Sequence, residues 1–459
     1  MHDATHGYDT SVAYTHGFYR EMAPDWLDLA ARAADQPSPR AEPDAPFRYL
    51  ELGCGQGFGL CLLAAANPRG DFIGIDFIPE QIAHAESLAK AAGLTNIRFV
   101  QADFLDLAAA WPGDFGSFDY VTLHGIYSWV PPKVRAAVVA CVGHATRAGS
   151  LVYVSYNTQP GWLATMPFQH LSHLIKETSG KTGGAVFEQS IALFDRLRAG
   201  GAATFQILPG LKARLDAVKT RSTGYLVQEY LHAHWQPFWH SEVAKELAAA
   251  GLAYAGTATL AETMLPGILP APLRDTIAAQ ADARLRQDVQ DFTINQSFRR
   301  DLFRRGDDAP APQPLGRLRL CLLSPPARGA TVKVDAAFGE IALQYPAFAG
   351  ILDALAAGPH SIEQIAALPG LREQGMANVR QLLLLLLHTG TLALEAAAPG
   401  DPAAAHRINA VIAQEAAAGA PYRYVAAPAL GSAIPASEAA LQALSDGTPA
   451  AHWRALGVV

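Results

Sequence analysis

From residue 47 onward the chain alternates short apolar runs with longer amphipathic stretches. Runs at 47–52, 72–75, 97–100, 119–123 and 150–154 have the length and composition of buried strands. Between them, 58–66, 79–92, a short 105–111 and 131–146 carry helical periodicity. Five strands alternating with helices predict an α/β fold, a Rossmann-like, mostly parallel sheet. Ligands of such sheets lie outside the carboxyl ends of the strands. Upstream, 25–34 is helical in pattern and the Pro-rich 36–43 is a connection. Residues 160–305 are mostly helical, broken at Gly200-Gly201 and Leu208-Pro209-Gly210, and 252–258 and 292–303 read as late strands of the first sheet. DDAPAPQP at 307–314 is the clearest linker. Beyond it come strands at 318–322 and 331–334, helices at 346–357, 361–367 and 375–389, and a strand at 392–394. That order, with Ser361 as an N-cap, predicts a winged-helix-like module. The tail, 402–459, reads as helices around an irregular PYRYVAAPALGSAIP segment. The pattern divides the chain into 1–160, 161–306 (an insertion plus the last strands of the sheet) and 315–459.

Composition narrows the function class. The 459 residues are 50% hydrophobic and 17% charged, which excludes wholesale disorder. The net charge of −7, from 35 basic and 42 acidic side chains, disfavours a general polyanion binder. Cys54, Cys61, Cys141 and Cys321 form no CxxC pair, so reduced thiols in a cytoplasmic protein are expected. The first 20 residues lack a basic segment followed by an apolar one, so no signal peptide is expected. The unbroken leucine run at 382–387 is much too short for membrane insertion.

The strongest chemical signal is Glu51-Leu52-Gly53-Cys54-Gly55-Gln56-Gly57-Phe58-Gly59, which follows a strand and opens a helix. Glycines there let the backbone approach a bound molecule closely. The dinucleotide fingerprint fails in both registers, because Phe58 and Leu60 stand where glycine or alanine is required. A phosphate-cradling GxxxxGK[ST] is absent as well. The ExGxGxG pattern instead resembles motif I of class I methyltransferases that use S-adenosyl-L-methionine. Asp76 ends the second strand, 23 residues after Gly53, where a carboxylate can accept from both ribose hydroxyls. Asp103 follows the third strand, where that family's acidic residue meets the adenine amino group. The resemblance implies a cofactor site built from Glu51, Gly53, Cys54, Gly55, Gly57, Asp76, Phe77, Asp103, Phe104 and His124.

Downstream, FDYVTLHGIYSWVP, LVYVSYNTQPGW, YLVQEYLHAHWQPFW, QSFRRDLFRR and YRYVAAPALGSAI occur in order. This set is similar to bacterial methyltransferases carrying a methyltransferase regulatory domain, a family that includes protein lysine methyltransferases acting on outer-membrane proteins. The resemblance implies a protein substrate, an outer-membrane protein among the choices, and leaves a homodimer open. A small-molecule N- or O-methyltransferase is the alternative enzyme reading, and a catalytically inactive cofactor-sensing regulator the alternative of another class. The opening YDTSVAY resembles the family's Tyr-Asp element, with Tyr8 and Tyr14 as candidates to close over the cofactor.

Methyl transfer is an in-line displacement, so alignment supplies much of its rate. A lysine acceptor must first lose a proton, which burial favours. The ends of the fourth and fifth strands supply the expected acceptor surroundings. His124 could relay a proton, and Tyr127 and Asn157 could orient an amine. Trp129, Tyr156 and Trp162 are the candidate substrate-binding walls. The His124-Gly125-Ile126-Tyr127 sequence departs from the Asp- or Asn-Pro-Pro-Tyr common in nucleobase amine methyltransferases, which argues against nucleic acid. The helix at 375–389 has few side chains able to read bases, and its six leucines demand burial, so it is expected to meet protein and not DNA. Packing is expected of His232, His234 and His240, with no metal assigned, and a solvated or salt-bridged face of Arg299, Arg300, Arg304 and Arg305.

Overall fold

Alternating apolar side chains bind the strands to helices on both faces of one seven-stranded sheet. A computed structural model describes residues 16–40, 42, 44–221, 223–306, 312–396 and 398–459, so Tyr8 and Tyr14 lie outside the described residues. The first five strands are β1 (Phe47–Leu52), β2 (Gly70–Asp76), β3 (Ile97–Gln101), β4 (Phe118–Leu123) and β5 (Thr146–Asn157). The late strands β6 (Leu252–Thr257) and β7 (Phe298–Arg305) complete the order β3-β2-β1-β4-β5-β7-β6. Neighbours within β1–β5 are parallel, whereas β7 runs antiparallel to both β5 and β6. This is a Rossmann-like sheet with its last two strands supplied from beyond the insertion.

Helices α1 (Pro24–Ala33), α2 (Phe58–Ala66) and α3 (Pro79–Ala91) cover one face, where Tyr49 and Tyr153 are buried. On the opposite face α4 (Phe104–Ala109) and α5 (Pro132–Ala145) bury Leu50, Leu52 and Tyr156. Side chains two apart share a face and adjacent ones do not. That parity sends Tyr153 and Tyr156 of one strand into different cores.

The insertion contains α6 (Met166–Ser179), α7 (Gly184–Ala199), α8 (Thr204–Ile207), α9 (Pro209–Val218) and α10 (Thr223–Tyr230). It has a core of its own, centred on Phe168, Phe187, Phe194 and Tyr230. Next come α11 (His240–Ala248), which joins the β5 face through Val243 and Leu247, then α12 (Ala271–Ala278) and α13 (Ala283–Ile294). The strand expected at 292–303 begins only at Phe298. Helix α13 runs to Ile294 and closes with Asn295 in the left-handed region at φ 52°.

The C-terminal part places β8 (Arg319–Leu322) between β11 (His360–Ser361) and β12 (Leu392–Leu394), with β9 (Val332–Ala336) and β10 (Gly339–Leu343) forming a separate hairpin. Its helices are α14 (Tyr345–Ala356), α15 (Ile362–Ala366) and α16 (Met376–His388). Ser361 caps α15 in a reciprocal box: its Oγ accepts from Gln364 N at 3.1 Å, and Ser361 N donates to the Gln364 side chain at 2.8 Å. The leucine run of α16 is buried within the chain itself: Leu385 packs with Ala261 and Met264, and the other five leucines lie in the core that also holds Leu27 and Leu29 of α1. Arg380 donates to the Ala33 carbonyl, and Arg20 to the carbonyls of Leu387 and His388. The face expected to meet another protein is therefore occupied by the α1 side of the sheet domain. Last come α17 (Ala403–Ala417), the hairpin β13 (Tyr424–Ala427) and β14 (Ser432–Pro435), α18 (Glu438–Ser445) and α19 (Ala451–Ala455). Among the described residues, no helix is long and apolar enough to cross a membrane.

Candidate active site

The carboxyl ends of β1, β2, β3 and β4 converge on one cavity of about 1250 Å³. Glu51, Gly53, Cys54, Gly55, Gly57, Asp76, Phe77, Asp103, Phe104, His124 and Trp129 all line it. The loop after β1 is tied to β2 by Gly53 N and Cys54 N, which donate to the Ile75 carbonyl at 2.8 and 3.0 Å. Gly53 and Gly57 have φ of 74° and 68°. A Cβ at Gly53 would fall 2.3 Å from Ile126, and one at Gly57 would fall 2.4 Å from Ala85. Both conformation and space therefore require glycine at these two positions.

Asp76 fastens the loop. Its Oδ2 accepts from Gly55 N at 2.9 Å and its Oδ1 from Ile78 N at 3.0 Å. Burial raises its pKa, while the backbone donors of Ile78, Gly55 and Phe77 pull it back down. Each oxygen keeps accepting capacity toward the cavity it lines. Glu51 is pushed up to about 8 by burial and by the nearby Asp76 charge. Asp103 caps α4, its Oδ1 accepting from Leu105 N at 2.8 Å. Three carboxylates at successive strand ends, with Phe77, Ile78, Phe104 and Val134 between them, offer acceptors for hydroxyl and amino groups beside an apolar slot of the kind a purine needs. The residues present thus fit a nucleoside-bearing cofactor.

The fourth strand contributes His124. Burial, reinforced by the Arg300 charge, lowers its pKa to about 3, so the ring is neutral at physiological pH. Its Nδ1 lies 2.9 Å from the Tyr153 hydroxyl. Its face stacks on Tyr19, with ring centroids 3.6 Å apart and an interplanar angle of 27°. Tyr19 belongs to a strap, residues 16–22, that supplies His16, Gly17, Phe18, Tyr19 and Met22 to the cavity wall.

Four expected site residues do not line this cavity. Tyr127 points into the α5 core, where its hydroxyl donates to Glu246, which also accepts from Arg135. Tyr156 faces the same side, and its hydroxyl donates to Asp301 Oδ2 at 2.6 Å. Asn157 is buried, its backbone held by the Ser128 hydroxyl and by Phe238 N, each at 2.9 Å. Trp162 packs against Trp235 in the insertion core, and its Nε1 donates to the Ser297 carbonyl at 2.7 Å. Strand parity turns Tyr156 away from the cavity, and the tight turn that returns Trp129 N to the Ile126 carbonyl accompanies the turning away of Tyr127. The three histidines of HAHWQPFWH also diverge. His232 packs on Trp129, His234 is exposed, and His240 pairs with Asp301.

Sequence reasoning missed the strap and Tyr153. The strap stands more than twenty residues before β1, so no spacing rule links it to the glycine loop. Tyr153 sits inside an uninterrupted apolar strand, and only its parity with Ser155 hints at a separate environment.

Comparison with known proteins agrees with this geometry. Residues 44–166 match the family described as "Methyltransferase domain", and residues 222–305 match "Predicted methyltransferase regulatory domain". The protein sll1526 of Synechocystis is 35% identical over 363 residues, covering 78% of this chain and 71% of that one. RP789 of Rickettsia prowazekii is 28% identical over 57% of this chain, a match spanning 46% of its own length. The structure of PKMT2 from Rickettsia typhi in complex with AdoHcy shares the fold, with a TM-score of 0.71 over 94% of this chain and 88% of that one at 19% identity. The chain belongs to the S-adenosylmethionine-dependent methyltransferases that carry a methyltransferase regulatory domain.

Proposed function

We propose that this enzyme methylates the side-chain amine of lysine in a protein substrate. The observation that carries the reading is the neutral His124 covered by Tyr19 at the β4 end of the cavity. An ammonium entering that buried, aromatic end loses its hydration and is driven toward the free amine. The free amine needs an acceptor for its remaining N–H. With the Nδ1 proton donated to Tyr153, the Nε2 lone pair of His124 supplies one. In this reading Tyr153 is a positioning residue that fixes the tautomer, and Trp129 walls the acceptor side.

S-adenosyl-L-methionine, when bound, supplies an electrophilic methyl group on a sulfonium. Asp76 is assigned to the ribose hydroxyls and Asp103 to the adenine amino group, with Phe77 and Phe104 flanking the base. Residues 1–160 together with β6 and β7 form the cofactor unit. Residues 161–250 form the inserted unit, and 315–459 a C-terminal unit packed on α1 and α2.

The test is transfer of radiolabelled methyl groups into fractionated bacterial lysate, outer-membrane proteins included, followed by mass spectrometry. Label on lysine side chains is expected. Label confined to small molecules would replace the lysine reading with a small-molecule methyltransferase.

A further inference from the structure

A second cleft, of about 540 Å³, opens at the far edge of the sheet between the end of α1, β6 and α13. Its charged floor is Arg299 of β7. Nε of Arg299 donates to both Asp301 oxygens at 2.9 Å, Nη1 to Asp291 Oδ1 at 2.5 Å, and Nη2 to Tyr254 and Gln287 at 3.2 and 2.9 Å. Asp301 also receives the Tyr156 hydroxyl at 2.6 Å and faces His240 Nδ1 at 2.9 Å. Glu262, on the β6 side, accepts only from neutral donors, Gln296 at 2.7 Å and Thr257 at 3.1 Å.

The charges do not balance. One guanidinium stands among three carboxylates, and burial keeps His240 on the neutral side. Burial raises Glu262 and pushes Asp291 up to about 7, so the network relieves its excess negative charge by taking up a proton unless a cation binds. Asp291 is 1% exposed, lines the cleft, and its Oδ2 has no hydrogen-bond partner. A buried carboxylate oxygen without a donor is costly, and native proteins rarely leave one so. Among the described residues no group of three or more His, Cys, Asp or Glu side chains is placed to hold a metal ion.

We propose that this cleft is a second ligand site, which binds a small organic cation of the primary ammonium or guanidinium class through an N–H donated to Asp291 Oδ2. Gln290 and Thr263 at the cleft supply further polar contacts. Apart from Ala33 and Ala34 of α1, the lining lies within the regulatory-domain match.

The test is calorimetric titration of the full chain, saturated with S-adenosylmethionine, with n-butylammonium and separately with methylguanidinium. Saturable binding with a dissociation constant of about 1 mM or tighter is expected for at least one probe. It should weaken at least about tenfold, roughly 1.4 kcal/mol, in Asp291→Asn and survive in His124→Ala. Gln290→Trp, which fills the cleft without touching the ion network, should abolish it even if Asp291→Asn fails to fold. Absence of saturable binding to the wild type overturns the proposal. So does binding that is lost in His124→Ala and kept in Gln290→Trp, because the amine would then be occupying the acceptor site.

Discussion

Tyr19 lies face to face with His124 at 3.6 Å, joining a strap from the start of the chain to the end of the fourth strand. The contact closes one side of the cavity. An aromatic stack of this kind contributes roughly 0.5–1.5 kcal/mol. Tyr19→Ala is therefore expected to lower kcat/KM by about 3- to 10-fold, and Tyr19→Phe, which keeps the ring, to stay near wild type. Steady-state kinetics on the methyl acceptor decide it. Equal losses in both variants would show that the hydroxyl matters and the stack does not.

Asp76 holds Gly55 N and Ile78 N while lining the cavity, so it shapes the loop and faces the cavity at once. Hydrogen bonds to a charged group are worth about 1.5–3 kcal/mol each. Asp76→Ala should weaken S-adenosylmethionine binding by roughly 10- to 100-fold, measured by calorimetry. Asp76→Asn, which keeps an acceptor oxygen, should lose less. An unchanged dissociation constant in Asp76→Ala would remove this carboxylate from the cofactor site.

Glu51 gives a pH signature with a definite sign. Its pKa is raised from 4.5 to about 8 in the folded chain, so between those values the native state holds more protons than the unfolded one. Stability from this group is full below pH 4.5 and is lost as pH rises toward 8, with a slope of up to about 1.4 kcal/mol per pH unit. Glu51→Gln should flatten that limb in urea unfolding of the cofactor-free protein. Because the cofactor carries a sulfonium, its binding favours ionised Glu51. Calorimetry at pH 7 in buffers of different ionisation enthalpy should show proton release, and its absence would place Glu51 away from the cofactor's charge.

The part of the cavity built from the glycine loop and the acidic residues is legible in the sequence because Gly53, Asp76 and Asp103 sit at or just beyond predicted strand ends. Strand parity carries their position straight into space. The acceptor half is not. His124 and Trp129 reach the cavity, whereas Tyr127 and Tyr156 turn into the α5 core, Trp162 turns into the insertion core, and Asn157 is buried at the end of β5. Which way a loop residue points depends on turns such as the one from Ile126 to Trp129, and composition does not encode that. The leucines of α16 predict burial correctly, but a segment they pack against, Leu260–Met264, is more than 110 residues away in sequence. No periodicity identifies a partner at such a distance.

His124 and Tyr153 yield a kinetic test. With its pKa near 3, His124 does not titrate between pH 5 and 8. The pH–rate profile is expected to lack a histidine inflection near 6.5 and to rise with ionisation of the acceptor amine. Tyr153→Phe releases the imidazole tautomer. It should cut kcat by about 10-fold, one hydrogen bond's worth, with little change in cofactor affinity. An inflection near 6.5 that disappears in His124→Ala would show that the ring is charged in the working enzyme.

The last relationship couples the C-terminal hairpin to the cofactor loop. Tyr422, just before β13, stacks on Phe58 at the start of α2, with centroids 4.7 Å apart and planes within 3°. Its hydroxyl lies 2.9 Å from His84 Nε2, and His84 Nδ1 meets the Gln56 carbonyl at 2.8 Å. Tyr422 thus touches both the first residue of α2 and, through His84, the glycine loop itself. Removing its buried ring leaves a cavity against α2, at a cost of about 3–5 kcal/mol for Tyr422→Ala. Tyr422→Phe keeps the stack and loses the hydroxyl's links to His84 and Glu415, about 1 kcal/mol each. If the His84 link sets the loop, Tyr422→Phe should weaken S-adenosylmethionine binding by up to about 5-fold while shifting thermal unfolding only slightly. If cofactor affinity stays at the wild-type value while stability falls, Tyr422 serves packing alone and the C-terminal unit does not influence the cofactor loop.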